Sequence, residues 1–172
     1  MKTIFLDIDG VLNSRKYFIE TYKCNLICHK VYDYTKMDDL VKLKMLKIDF
    51  YKLQLLKEII SYTNAKIVIT SAWRKLSEWP LIEEYLVNKG LPIIGVTTSF
   101  GSRGEEIRDY LKDYEEINDF IIIDDDMFLD FYELENNLVK TNYDDGLTYE
   151  HVYEAIDMLN CKKVKKHTKS NY

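Results

Sequence analysis

The first apolar segment of the chain ends in two aspartates and a glycine, in the order Ile4-Phe5-Leu6-Asp7-Ile8-Asp9-Gly10. A short run of β-forming apolar residues predicts a buried central strand. Asp7 and Asp9 are two residues apart, so their side chains point the same way in an extended segment. Two like charges at the mouth of a sheet are costly unless a cation or a reaction requires them. The stretch therefore predicts a functional site at the end of the first strand.

Length, charge and cysteine content favour a single domain. The chain has 172 residues, of which 47% are hydrophobic, and this is enough for one substantial core. Its net charge of -5 gives no general attraction to nucleic acid or anionic membranes. The three cysteines form no disulfide framework, and no apolar stretch suits a membrane helix or a signal peptide. We therefore expect a cytoplasmic location, no membrane partner and no obligate protein partner.

Strand-like and helix-like patterns alternate along the chain. Further strands are predicted at residues 66–70, 91–96, 120–123 and 138–141, and helices at about 49–62, 78–88, 105–114 and 148–159. Such alternation predicts a three-layer, Rossmann-like α/β fold with a mainly parallel sheet. We expect residues 1–160 to form one domain, and residues 161–172, which include five lysines, to form a tail that frays.

Residues 14–46 show no sustained periodicity and follow the first strand directly. We expect a small insertion here, a loop or short hairpin that acts as a lid over the carboxylates, because long structureless loops are uncommon in compact domains unless they serve a function. A surface excursion without a role is the alternative. Cys24, Cys28 and His29 lie in this stretch, but a single cluster without a second pair does not predict a zinc site.

Chemically active side chains follow several of the predicted strands, and ligands of open α/β sheets bind at the carboxyl ends of strands. These side chains are Asp7 and Asp9, then Thr70 and Ser71, then Asp124 and Asp125, with Arg103 in the loop after the third strand. Clustered carboxylates suit Mg²⁺, and hydroxyls with a cation can hold phosphate oxygens. One carboxylate can attack phosphorus, and another can transfer protons. The set predicts phosphoryl-transfer chemistry.

Three motifs in this order resemble those of haloacid dehalogenase (HAD) superfamily phosphohydrolases. They are DIDGVL at Asp7 to Leu12, IVITS at Ile67 to Ser71 and IIIDD at Ile121 to Asp125. Within that superfamily, the chain is similar to the HAD domain of Swiss Army Knife RNA repair proteins. That closer resemblance depends on three stretches, ITSAWR from Ile69, RGEEIRDYL from Arg103 and DDGLTYEHV from Asp144.

The resemblance implies a role for each of these side chains. Asp7 would be the nucleophile and Asp9 the general acid and base. Thr70 or Ser71 would bind the transferring phosphoryl group, with Arg103 as the basic residue of the third motif and Arg74 as its alternative. Asp125, with Asp124 alongside, would complete a Mg²⁺ site with Asp7 and the main-chain carbonyl of Asp9.

The expected function is a Mg²⁺-dependent phosphatase that hydrolyses a phosphomonoester through an aspartyl-phosphate. The substrate could be a small metabolite, a nucleotide or a nucleic-acid end. There are two alternatives: a phosphotransferase on the same fold, and a module that binds nucleic-acid ends in RNA repair. Trp73 and Trp79 could stack on a base, but tryptophans at such positions are expected to pack against the core or its rim.

Overall fold

The computed structural model describes residues 1–27, 48–98, 101–126 and 129–161, and these ranges contain a five-stranded parallel sheet. Its strands are β1 (Lys2–Leu6), β2 (Lys66–Ile69), β3 (Ile93–Val96), β4 (Asp119–Asp124) and β5 (Leu138–Lys140). Their order across the sheet is β3-β2-β1-β4-β5, and every adjacent pair is parallel. The predicted strands and the predicted parallel α/β fold are confirmed.

Five α-helices lie in the described ranges: α1 (Arg15–Ile27), α2 (Phe50–Thr63), α3 (Trp79–Asn88), α4 (Arg103–Asp113) and α5 (Tyr149–Asn160). The last four confirm the helices predicted from periodicity. Helix α4 begins two residues earlier than predicted, because Ser102 caps it in a reciprocal arrangement with Glu105. No helix among the described residues is long and apolar enough to span a membrane.

The core occupies both faces of the sheet, which makes this a three-layer structure. Ile4 and Leu6 of β1 belong to one buried cluster, together with residues of α2, α3 and α5. Phe5, between them, belongs to a second buried cluster that includes Ile107 and Tyr110 of α4. Because helices cover both faces, most successive residues of β1, β2 and β4 are buried, and this explains the uninterrupted apolar runs in these strands.

The expectation of a loop or hairpin after the first strand is wrong for Arg15–Ile27, which form α1. Most side chains of residues 15–21 are exposed, so the first two turns carry no apolar stripe that a sequence pattern could reveal. The backbone N–H groups of Arg15 and Lys16 donate to the carbonyls of Tyr143 and Asp144 (2.9 and 3.2 Å), which anchors its first turn. Residues 28–47 and 162–172 lie outside the described residues, so the lid and the frayed tail stay predictions.

Candidate functional site

The carboxyl ends of β1 and β4 bring three carboxylates together. Asp7, Asp124 and Asp125 each offer an oxygen, and these oxygens all lie within 4.8 Å of one another. Asp7 and Asp124 are buried, and Asp125 is half-buried. The backbone N–H of Asp7 donates to the carbonyl of Ile123 (3.0 Å), so the pairing of β1 with β4 positions the backbone of Asp7. The predicted convergence of strand ends therefore exists in the fold.

Gly10 makes room for this group. Its φ of +68° lies in the left-handed region that favours glycine. A Cβ at this position would lie 2.2 Å from Cγ of Asp125, which is closer than any real contact. The Gly10 carbonyl also accepts a hydrogen bond from the Thr141 hydroxyl at 2.7 Å. The glycine after the two aspartates therefore both turns the chain and leaves the space that the third carboxylate occupies.

Arg103 is the arginine that contacts the carboxylates. Its Nη1 lies 3.1 Å from Oδ2 of Asp124 and 3.5 Å from Oδ1 of Asp7. The same nitrogen donates to the Thr70 hydroxyl at 3.0 Å. Arg103 is the first residue of α4, and Asp130 accepts hydrogen bonds from the capping residues of that helix end. The start of α4 thus carries a fixed positive charge into the acidic group.

The carboxylates are held in a setting that disfavours their negative charge. Burial raises the pKa of Asp7, although Arg103 and a hydrogen bond from Ser71 oppose the rise. Burial and the neighbouring Asp7 raise the pKa of Asp124 to about 7. Burial and the charge of Asp7 also raise the pKa of Asp125. One guanidinium does not offset three clustered carboxylates, so the group calls for a further cation.

Mg²⁺ fits this donor set. It is a hard cation that prefers carboxylate oxygens and retains several waters, and the mouth of the sheet offers three such side chains. Asp7, Asp124 and Asp125 would hold it. The carboxylate of Asp9 is not part of the group of clustered oxygens in the described residues. Its contribution through the main-chain carbonyl therefore stays a prediction.

Both hydroxyls at the end of β2 are buried beside the acidic group. Thr70 is fully buried and accepts the hydrogen bond from Arg103. Ser71 is also buried, and its hydroxyl lowers the pKa of Asp7. The backbone N–H of Thr70 donates to the carbonyl of Leu6 (2.9 Å), which sets these residues next to the end of β1. Both hydroxyls therefore lie beside the acidic group, and Thr70 contacts its arginine directly.

Asp9 has a different environment from the other acids. Its side chain is exposed, whereas the three clustered carboxylates are buried or half-buried. Its Oδ1 accepts from Nδ2 of Asn13 at 2.9 Å, and its Oδ2 accepts from Nε1 of Trp73 at 2.8 Å. The four acids are therefore divided between a buried group and one exposed, hydrogen-bonded carboxylate.

A family model described as the HAD domain in Swiss Army Knife RNA repair proteins matches residues 3–152. The chain belongs to this family. The match covers every residue of the site described above and confirms the resemblance inferred from the sequence motifs. No curated protein and no solved structure matches the chain.

Arg74 of this HAD domain forms no ion pair with Asp7, Asp124 or Asp125 among the described residues. Its side chain is only 4% exposed and forms an ion pair with Glu106 of α4, which is 3% exposed. Its other donors contact four backbone carbonyls, those of Thr70, Ser71, Thr97 and Thr98. Of the two arginines considered from the sequence, Arg103 contacts Asp7 and Asp124, whereas Arg74 contacts Glu106 and backbone carbonyls. The role of either toward a substrate stays a prediction.

Two of the residues that contact Asp9 were not predicted from the sequence to do so. Asn13 lies in the turn after β1, and no motif singled it out. Trp73 was expected to pack against the core or its rim; its ring does so, but its N–H also reaches Asp9. The spacing of Asn13, four residues after Asp9 across a glycine turn, is the one local signal that could have indicated its contact.

Proposed function

We propose that this HAD domain is a Mg²⁺-dependent phosphatase that hydrolyses a phosphomonoester through an aspartyl-phosphate on Asp7. The observation that carries the proposal is the meeting of three carboxylates, one arginine and two buried hydroxyls at one edge of the sheet. This combination supplies a nucleophile, donors for phosphate oxygens and a site for a hard cation. Membership of the family supports the same class of chemistry.

In the first step, the Asp7 carboxylate attacks phosphorus, an Asp7 oxygen–phosphorus bond forms, and the bond from phosphorus to the leaving alcohol breaks. Asp9, as the acid, gives its proton to the leaving oxygen. Arg103 and the Thr70 or Ser71 hydroxyl donate to the phosphoryl oxygens, where negative charge is held. Arg103 already lies against Asp7, so its guanidinium would be close to the oxygens of a phosphoryl group that Asp7 attacks.

In the second step, Asp9 is a carboxylate and takes a proton from water as the water oxygen attacks phosphorus. The bond between Asp7 and phosphorus breaks, phosphate leaves, and Asp9 is again an acid. The two steps together consume one water and return both aspartates to their starting states. Mg²⁺, when bound, would reduce the repulsion between the anionic nucleophile and the anionic substrate.

The substrate class follows from the surroundings only in part. Since the family is described from RNA repair proteins, phosphorylated nucleic-acid ends are included among the proposed substrates, together with nucleotides and small phosphorylated metabolites. A panel of these compounds, assayed for phosphate release, distinguishes them. Release that requires an added acceptor alcohol would instead indicate a phosphotransferase. Salt-dependent binding of an oligonucleotide end without turnover would indicate a binding module.

Phosphate release from p-nitrophenyl phosphate tests the proposal. We expect turnover with Mg²⁺, none with EDTA, and recovery when Mg²⁺ is restored. Asp7→Asn should abolish turnover while the circular dichroism spectrum stays that of the wild type. Turnover that survives either EDTA or Asp7→Asn would contradict the proposed role of the carboxylate group.

A further inference from the structure

The carboxylate of Asp9 is held from two sides by different parts of the chain. Trp73, from the turn after β2, donates its Nε1–H to Oδ2 at 2.8 Å. Asn13, from the turn after β1, donates Nδ2–H to Oδ1 at 2.9 Å. An exposed aspartate in water ordinarily samples several rotamers, whereas two donors on its two oxygens select one. The exposed acid of this site is therefore ordered rather than free.

The Trp73 side chain that makes this contact is itself held by packing and by hydrogen bonds of its turn. Its ring is partly buried and packs against the main hydrophobic cluster. It belongs to a short 3-10 helix, Ala72–Lys75. The backbone N–H of Trp73 donates to Oγ of Ser71 (3.4 Å), and its carbonyl accepts from the backbone N–H of Leu76 (3.0 Å). The neighbouring Arg74 fixes the same turn through its buried contacts. The indole N–H thus has little freedom to move away from Asp9.

The same turn also contacts the second acid that the chemistry requires. Ser71, which caps the 3-10 helix, is buried beside Asp7, and its hydroxyl lowers the pKa of that carboxyl group. Ser71 and Trp73 therefore place one short element against both Asp7 and Asp9. The turn after β2 therefore lies beside both carboxyl groups that the proposed reaction uses.

We propose that Trp73, assisted by Asn13, is a positioning residue that holds the Asp9 carboxyl group in the orientation needed to protonate the leaving group. The inference rests on the proposed function. In the step concerned, the proton passes from Asp9 to the leaving oxygen while the phosphorus–oxygen bond breaks and the bond to Asp7 forms. A protonated carboxyl group still accepts on its remaining lone pairs, so both donors can stay in place through the transfer.

If Trp73 supports proton donation by Asp9, the effect of its loss on the rate should depend on the leaving group. If Trp73 only supports the fold, the effect should not. An alkoxide is a poor leaving group and needs the proton, whereas p-nitrophenolate leaves readily without it. A loosened Asp9 should therefore affect alkyl phosphates much more than p-nitrophenyl phosphate. A weakened fold would affect both substrates alike. The ratio kcat/KM is the suitable measure because it reports the first step, before water attacks.

The test compares Trp73→Phe with the wild type on glycerol phosphate and on p-nitrophenyl phosphate. Phenylalanine keeps an aromatic ring against the core and removes the N–H donor together with the smaller ring of the indole. We expect kcat/KM to fall about tenfold or more for glycerol phosphate and less than about twofold for p-nitrophenyl phosphate. Asp9→Asn should show the same selectivity with a larger loss. The double variant should lose no more than Asp9→Asn alone, because Trp73 acts through Asp9.

Trp79→Phe is the matched control, since Trp79 is a buried core tryptophan at the start of α3 and should show no selectivity between the substrates. Equal losses on the two substrates in Trp73→Phe, or a further loss in the double variant, would overturn the inference while leaving the proposed function intact. A wild type that releases phosphate from neither substrate would overturn both. If Trp73→Phe does not fold, Asn13→Ala carries the same expected selectivity and the same refutation.

Discussion

Replacing Glu106 by glutamine should destabilise the domain strongly, because it removes half of a buried ion pair. Arg74 and Glu106 are 4% and 3% exposed, so water cannot replace the lost charge. Removing one partner of a buried pair typically costs about 3–5 kcal/mol, since the other charge stays buried without compensation. Arg74 keeps its contacts to backbone carbonyls, which places the expected loss at the lower end, about 3 kcal/mol.

Urea unfolding followed by circular dichroism measures this loss directly. The midpoint should fall while the slope stays unchanged, because the native surface is the same. For a domain of this length, about 3 kcal/mol corresponds to a decrease in Tm of about 6–12 °C. Asp109→Asn on the same helix is the matched control. Asp109 pairs with Lys112 at 2.8 Å, but both side chains are more than half exposed, so we expect a change below about 0.5 kcal/mol. Equal losses in the two variants would refute the importance assigned to the buried pair.

Two further predictions concern the carboxylate group. Gly10→Ala would place a Cβ against Asp125, so it should abolish the increase in Tm that Mg²⁺ produces. Gly90→Ala is the control: Gly90 also has a positive φ, but the nearest atom to its added Cβ would be 3.7 Å away, so the increase in Tm should remain. In EDTA, the free energy of unfolding should fall as the pH rises from about 4 to about 7. The reason is that the pKa of Asp124 is raised in the folded protein from its usual 3.8 to about 7, so the unfolded chain binds fewer protons than the folded one in this range. Asp124→Asn should flatten that dependence in thermal melts, and an unchanged pH profile would count against the raised pKa.

The sheet could be predicted because its physical signal is local. Strands covered on both faces must be apolar at nearly every position, and the segment around Ile121 meets this requirement within a few residues. The convergence of Asp7, Thr70 and Asp124 followed from the parallel fold alone, since the carboxyl ends of neighbouring strands share an edge. These are the parts of the site that a sequence pattern can show.

The parts that could not be predicted depend on contacts between distant residues or on exposed surfaces. Helix α1 is anchored by the loop near Tyr143, more than a hundred residues away, and its first turns bury little. Trp73 reaches Asp9 across 64 residues, and an indole packed on the core looks the same in sequence whether or not its N–H has a partner. The choice between Arg74 and Arg103 likewise depended on which of them finds Glu106.

The most direct test of the proposed function is to look for the phosphoryl group on Asp7. The protein would be mixed with Mg²⁺ and p-nitrophenyl phosphate, quenched in acid during turnover, digested and mapped by mass spectrometry. We expect a phosphoryl group on the peptide that contains Asp7, and no such group in Asp7→Asn. Steady turnover with an unmodified Asp7 peptide, or activity that survives in Asp7→Asn, would contradict the account.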